Sequence, residues 1–77
     1  MTVDEVREHL ATTPFQPVRI VTSSGDRYEV RHPEMAFLTR CGLIIGLEEY
    51  DGVPSRHRTV SLLHITAVEP LPLENAG

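Results

Sequence analysis

The chain has 77 residues, a net charge of −4 at neutral pH and 40% apolar side chains, which bounds it to one small, mildly acidic domain. No apolar run approaches the ~20 residues that span a bilayer, Asp4 and Glu5 stand where a secretory leader would be basic, and Cys41 is the single cysteine, so there is no disulfide framework. These features point to the cytoplasm and away from a membrane, and the acidic balance argues against a nucleic-acid partner, whose phosphates call for a basic face.

Residues 2–11 have the pattern of a short amphipathic helix. Thr2 and Glu5 have capping-box spacing, and Asp4 and Glu5 suit the positive end of the helix dipole. Val3, Val6 and Leu10 share a face, while Glu8 and His9 look outward. Thr12-Thr13-Pro14 ends the helix, because a residue before proline resists the α region. Phe15 is positioned to anchor the helix against the sheet.

Residues 16–34 read as a β-hairpin. Val18, Ile20 and Thr22 alternate with Arg19, Val21 and Ser23, and Tyr28 and Val30 alternate with Arg27, Glu29 and Arg31. A two-residue turn at Ser24-Gly25 would set Ile20 opposite Glu29. A three-residue turn, Ser23-Ser24-Gly25, sets Ile20 opposite Tyr28, Val18 opposite Val30 and Arg19 opposite Glu29, with glycine at the position that needs a positive φ. Pattern and turn chemistry select the same register. Pro33 ends the second strand because it cannot donate to a ladder.

Residues 35–39 form a short strand or a helical turn. Arg40-Cys41-Gly42 repeats the grammar of the first turn, and a three-residue loop there would set Phe37 against Ile45 and Met35 against Leu47 as core pairs. Residues 43–49 form a strand, apolar on both faces at first, hence central or covered by the helix. A loop over 50–57 comes next, around Asp51-Gly52 and Pro54, and the strand after it pairs Leu47 with Val60, Ile45 with Leu62 and Glu49 with Arg58. Leu62-Leu63-His64 makes a tight bend and residues 65–69 a last strand. The domain spans 1–70, with a flexible tail over 71–77.

The fold class is therefore mainly β: a short N-terminal helix followed by about five antiparallel strands. Sheets of this kind curl to hide their edges, so a small SH3-like or Sm-like barrel is the leading expectation. An open antiparallel sheet with the helix across one face is the second.

The marks Pro14, Phe15, Pro17, Gly25, Val30, His32, Pro33 and Glu34 resemble a family of small, uncharacterised bacterial proteins built from a helix, a Pro-Phe-x-Pro strand, a glycine turn and a His-Pro-Glu corner. A second resemblance, at the level of fold, is to Sm-like RNA-binding proteins, with their N-terminal helix and bent five-stranded sheet. Their RNA-contacting motif carries an aspartate and an asparagine after the second strand, where this chain has His32-Pro33-Glu34 and no Asn.

His32 and Glu34 are the types of residue that bind a metal or act as a base with its partner, but the competing role is to cap the corner that Pro33 makes. His9, His57 and His64 are scattered, without ligand spacing. Cys41 stands beside Arg40 in a predicted turn, with no sequence feature that links it to a histidine base. Ser61, His64 and Asp51 assemble a hydrolytic triad only on paper, without a G-x-S-x-G elbow. Arg19, Arg27 and Arg31 share the outward face of the hairpin, either as a patch for an acidic partner or neutralised by Glu29 and Asp26. Val21 and Ile44 also point outward and, with Leu71 and Leu73, would form an apolar interaction surface.

The candidate interaction surface is therefore Arg19, Val21, Arg27, Arg31 and Ile44, with no catalytic, metal or cofactor residues. The function expected is a non-enzymatic, oligomerising protein-binding module of the bacterial cytoplasm. An Sm-like RNA binder is the second expectation, and a metal-dependent enzyme or sensor built on His32 and Glu34 is the third.

Overall fold

The computed structural model describes residues 1–72. Helix α1 (Val3–Ala11) is followed by strands β1 (Val18–Thr22), β2 (Arg27–Val30), β3 (Ala36–Leu38), β4 (Gly42–Tyr50), β5 (Val53–Ser61) and β6 (Ile65–Pro70). Single 3₁₀ turns, Pro33–Met35 and Leu62–His64, precede β3 and β6. Among the described residues the fold is mainly β with one short helix, as the alternation implies, but its six strands form two three-stranded antiparallel sheets rather than one closed barrel. The first sheet runs β2-β1-β6 and the second β3-β4-β5.

The capping box of α1 forms. The Thr2 hydroxyl accepts from the Glu5 N–H at 3.2 Å, while the Glu5 carboxylate accepts from the Thr2 N–H at 2.9 Å. That backbone bond, with a second from the Thr2 hydroxyl, holds the Glu5 pKa below the usual carboxylate range. A depressed pKa in the folded state means a contribution that is present above the unfolded-state pKa and is lost as pH falls through the folded one. Urea denaturation at pH 7 and pH 3 should therefore show a smaller acid loss in Glu5→Gln than in the parent. Equal losses would contradict the box.

The central hairpin folds in the expected register, with Val18 opposite Val30, Arg19 opposite Glu29 and Ile20 opposite Tyr28. Gly25 sits at φ +90° and its N–H donates to the Thr22 carbonyl at 3.0 Å. Thr22, buried beneath the turn, accepts from the Asp26 N–H at 3.2 Å, so its hydroxyl is not an orphan. The inner faces of both sheets meet in one core. Val18, Ile20 and Val30 of the first sheet pack with Leu43, Ile45 and Val60 of the second, and Val6 brings α1 onto them. Val3, Leu10 and Phe15 pack at its margin, as expected of the helix face and its anchor.

The second turn departs from its expected form. Arg40-Cys41 is a two-residue loop, closed by the Thr39 N–H donating to the Gly42 carbonyl at 2.8 Å. The Thr39 hydroxyl accepts from the Cys41 and Gly42 N–H groups at 3.3 and 3.0 Å. This shifts the register by one, so Phe37 faces Ile44 rather than Ile45, and a one-residue slip reverses the faces of a strand. Ala36 and Leu38 point to the core, and Phe37 is 67% exposed. Gly42 has a different task from Gly25: a Cβ there would lie 2.6 Å from the Val60 carbonyl oxygen.

The loop expected over 50–57 is also corrected. Asp51 and Gly52, at φ 55° and 79°, make a tight two-residue turn of the kind whose twist matches the flanking strands. Strand β5 therefore starts at Val53 and pairs Leu43 with Val60, Ile45 with Arg58 and Leu47 with Arg56. Pro54 is tolerated because β5 is an edge strand. The pairings expected for Leu47 with Val60, Ile45 with Leu62 and Glu49 with Arg58 do not occur. Leu71, expected in a flexible tail, is 6% exposed, and its N–H donates to the Pro17 carbonyl at 2.9 Å. Residues 73–77, Leu73 among them, lie outside the described residues.

Candidate functional site

On the outward face of the first sheet, Arg19 lies between two acids, 3.8 Å from Glu29 and 3.9 Å from Glu69. Arg31 reaches Glu29 at 2.9 Å. The neutralising role expected of Glu29 is met, and Glu69 adds to it. Asp26 does not take part: its carboxylate accepts from the Ser24 hydroxyl at 3.1 Å. Val21, half-buried, lies opposite Arg27 and Ala67. Exposed pairs like these contribute about 0–1 kcal/mol each, so this face is a solvated ion-pair surface.

Ile44 lies elsewhere, on the outward face of the second sheet between Phe37 and Thr59. The five residues of the expected surface thus divide between two sheets. Leu71 is buried and joins neither group.

The polar candidates do not converge. His32 and Glu34 are exposed, and His32 gives no side-chain cap to its corner, which the backbone closes by the Met35 N–H donating to the His32 carbonyl at 3.0 Å. Neither residue plays the capping role expected of it. His64 Nδ1 lies 3.3 Å from Ser23 Oγ, whereas the Ser61 hydroxyl accepts from the Leu63 N–H. Asp51 stands at the tip of the β4–β5 hairpin, so Ser61, His64 and Asp51 form no relay. Cys41 is exposed in its turn. Among the described residues no group of three His, Cys, Asp or Glu is placed to hold a metal ion, and no helix is long and apolar enough to cross a membrane.

What the sequence reading missed is the first half of β5, residues 53–57 that it assigned to a loop, and the openness of the strand. Residues 53–59 are all exposed, so both faces of the strand are open as well as its edge. At the tip, Tyr50 and Val53 pair directly and are 81% and 65% exposed. Arg56 bonds Glu48 at 2.7 Å across the hairpin. Arg58 occupies an inward register position opposite the buried Ile45. It borders a cleft of about 400 Å³ between β5 and the Ser23-Ser24-Gly25 turn, with Tyr28, Asp26 and His64 on its walls. None of the ion pairs among the described residues involves Arg58. The signal for the early start of the strand is Asp51-Gly52, a strong two-residue hairpin marker.

No family model, curated protein or solved structure matches this chain. The candidate site therefore rests on geometry: one long open edge, an apolar tip and, at a cleft beside it, a guanidinium with no ion pair among the described residues.

Proposed function

We propose that the protein is a non-enzymatic binding module that takes an extended segment of a protein partner as an added strand on the free edge of β5. The observation that carries this is the row of exposed residues over 53–59 in a strand with a single neighbour. The other edge strands have four, three and six residues against nine in β5. Strand addition draws its affinity from main-chain hydrogen bonds and its selectivity from alternate side chains. A nine-residue edge supplies both. The lone exposed Cys41 suits a reducing compartment, which supports a cytoplasmic setting.

The small-barrel reading of the architecture belongs to this proposal. Its support is that the chain crosses between the sheets at two 3₁₀ corners, from β2 to β3 and from β5 to β6, while β6 returns to pair with β1. An SH3-like or Sm-like barrel, opened at those corners, has this connectivity.

The experiment is a titration with a neutral extended hexapeptide, alternating Thr and Val, followed by amide chemical shifts. Shifts concentrated along β5 are the expected result. A peptide that leaves β5 amides unmoved at millimolar concentration would overturn the proposal.

A further inference from the structure

We infer that the strand accepted by β5 is acidic, and that one of its carboxylates pairs with Arg58 at the cleft beside the Ser23-Ser24-Gly25 turn. This rests on the strand-addition reading and names the chemistry of its partner.

Three observations converge on it. First, β5 carries Arg56, His57 and Arg58 and no acid, while the rest of the chain has five arginines against eleven acids. The edge is thus a basic strip on an acidic protein. Second, the two arginines are not equivalent. Arg56 is held by Glu48 at 2.7 Å, whereas Arg58 has no ion pair among the described residues. Third, Arg58 lies on the inward side of its strand, opposite Ile45, where the cleft of about 400 Å³ opens. The inward side chains of a strand laid along residues 58–61 would enter that cleft, since side chains alternate across a strand. Asp26 on the opposite wall already accepts from Ser24, and Arg58 remains the cation facing the space.

The same charges weigh against a second copy of this chain as the occupant. Two β5 edges paired antiparallel about His57 would set Arg56 of one copy opposite Arg58 of the other, and like charges directly opposed are destabilising. Basic residues and Pro54 thus guard the edge against self-pairing and leave it open to a strand of opposite charge.

The test compares three acetylated hexapeptides at low ionic strength, alternating Glu/Val, Thr/Val and Lys/Val, on the full chain and on Arg58→Glu. The acidic peptide should bind about two- to fivefold tighter than the neutral one, the effect of one exposed ion pair, and the lysine peptide more weakly than either. In Arg58→Glu the order of the charged peptides should reverse. Equal binding of all three along β5 would overturn the inference while the strand-addition reading stands. An acidic preference unchanged in Arg58→Glu would also overturn it. No shift in β5 amides with any peptide would remove both.

Discussion

Ile20→Ala is expected to remove about 2–5 kcal/mol of folding stability, a large part of the roughly 4–8 kcal/mol that a domain of this length holds. Ile20 is fully buried on the central strand of the first sheet, between Tyr28 of β2 and Val68 of β6, in the cluster that joins both sheets to α1. Truncation there removes contacts on all sides, and a close-packed core collapses into such a gap only in part. Urea denaturation should show a lower midpoint at unchanged slope. In thermal terms, at about 4–8 °C per kcal/mol for a domain of this size, melting falls by tens of degrees. Val21→Ala, one residue away on the outward face, should cost well under half as much. The reverse order would mean that the inner and outer faces of β1 are exchanged.

The second large effect is expected at Gly42. Alanine there would place its Cβ 2.6 Å from the Val60 carbonyl oxygen and 3.4 Å from the carbonyl carbon. These are backbone atoms of the paired strand, so no side-chain rotation relieves the contact. The strands must part where Leu43 meets Val60, at the entry to the core. A loss of about 1–3 kcal/mol is the ordinary range for overpacking, and the upper end is expected because the strand itself must move. Gly25→Ala makes the useful contrast. Nothing lies within 4 Å of its Cβ, but the residue sits at φ +90°, so its cost comes from backbone conformation. Amide shifts should spread through β4 and β5 for Gly42→Ala and stay at the turn for Gly25→Ala. A neutral Gly42→Ala would contradict the register of β4 on β5.

These two glycines show how far the sequence could be read. The first hairpin was legible because two independent constraints agreed: the alternation of Val18, Ile20, Tyr28 and Val30, and a glycine where the turn needs a positive φ. At Arg40-Cys41-Gly42 the same three-letter pattern misled. The glycine there meets a close approach from β5, a long-range contact, while the turn is closed one residue earlier by Thr39. The error of one position moved Phe37 from core to surface. At the third hairpin, Asp51-Gly52 marks a tight turn, while Pro54 two residues later reads as a continuation of the loop. On an edge strand proline costs the ladder little, and which strand lies at an edge is a property of topology that local pattern does not carry.

The site was less legible than the fold for the same reason. The outward arginines of the first hairpin could be found by alternation, and Glu29 as their partner by register. Glu69 needed the long-range pairing of β6 with β1. The openness of β5 and the cleft near Arg58 needed both sheets in place. Charge alone did not mark Arg58, because its significance lies in an inward register position opposite Ile45, at the mouth of a cleft that two distant segments build together.

The central claim is that β5 accepts a strand through its backbone. Titration with the neutral Thr/Val hexapeptide and with its form N-methylated at every residue, which leaves neither edge of the peptide a backbone donor, tests this most directly. The account predicts amide shifts along residues 53–61 with the first peptide and their loss with the second, because methylation removes the donors that a ladder needs. Equal shifts with both peptides, or shifts centred on β1 and β6, would contradict it.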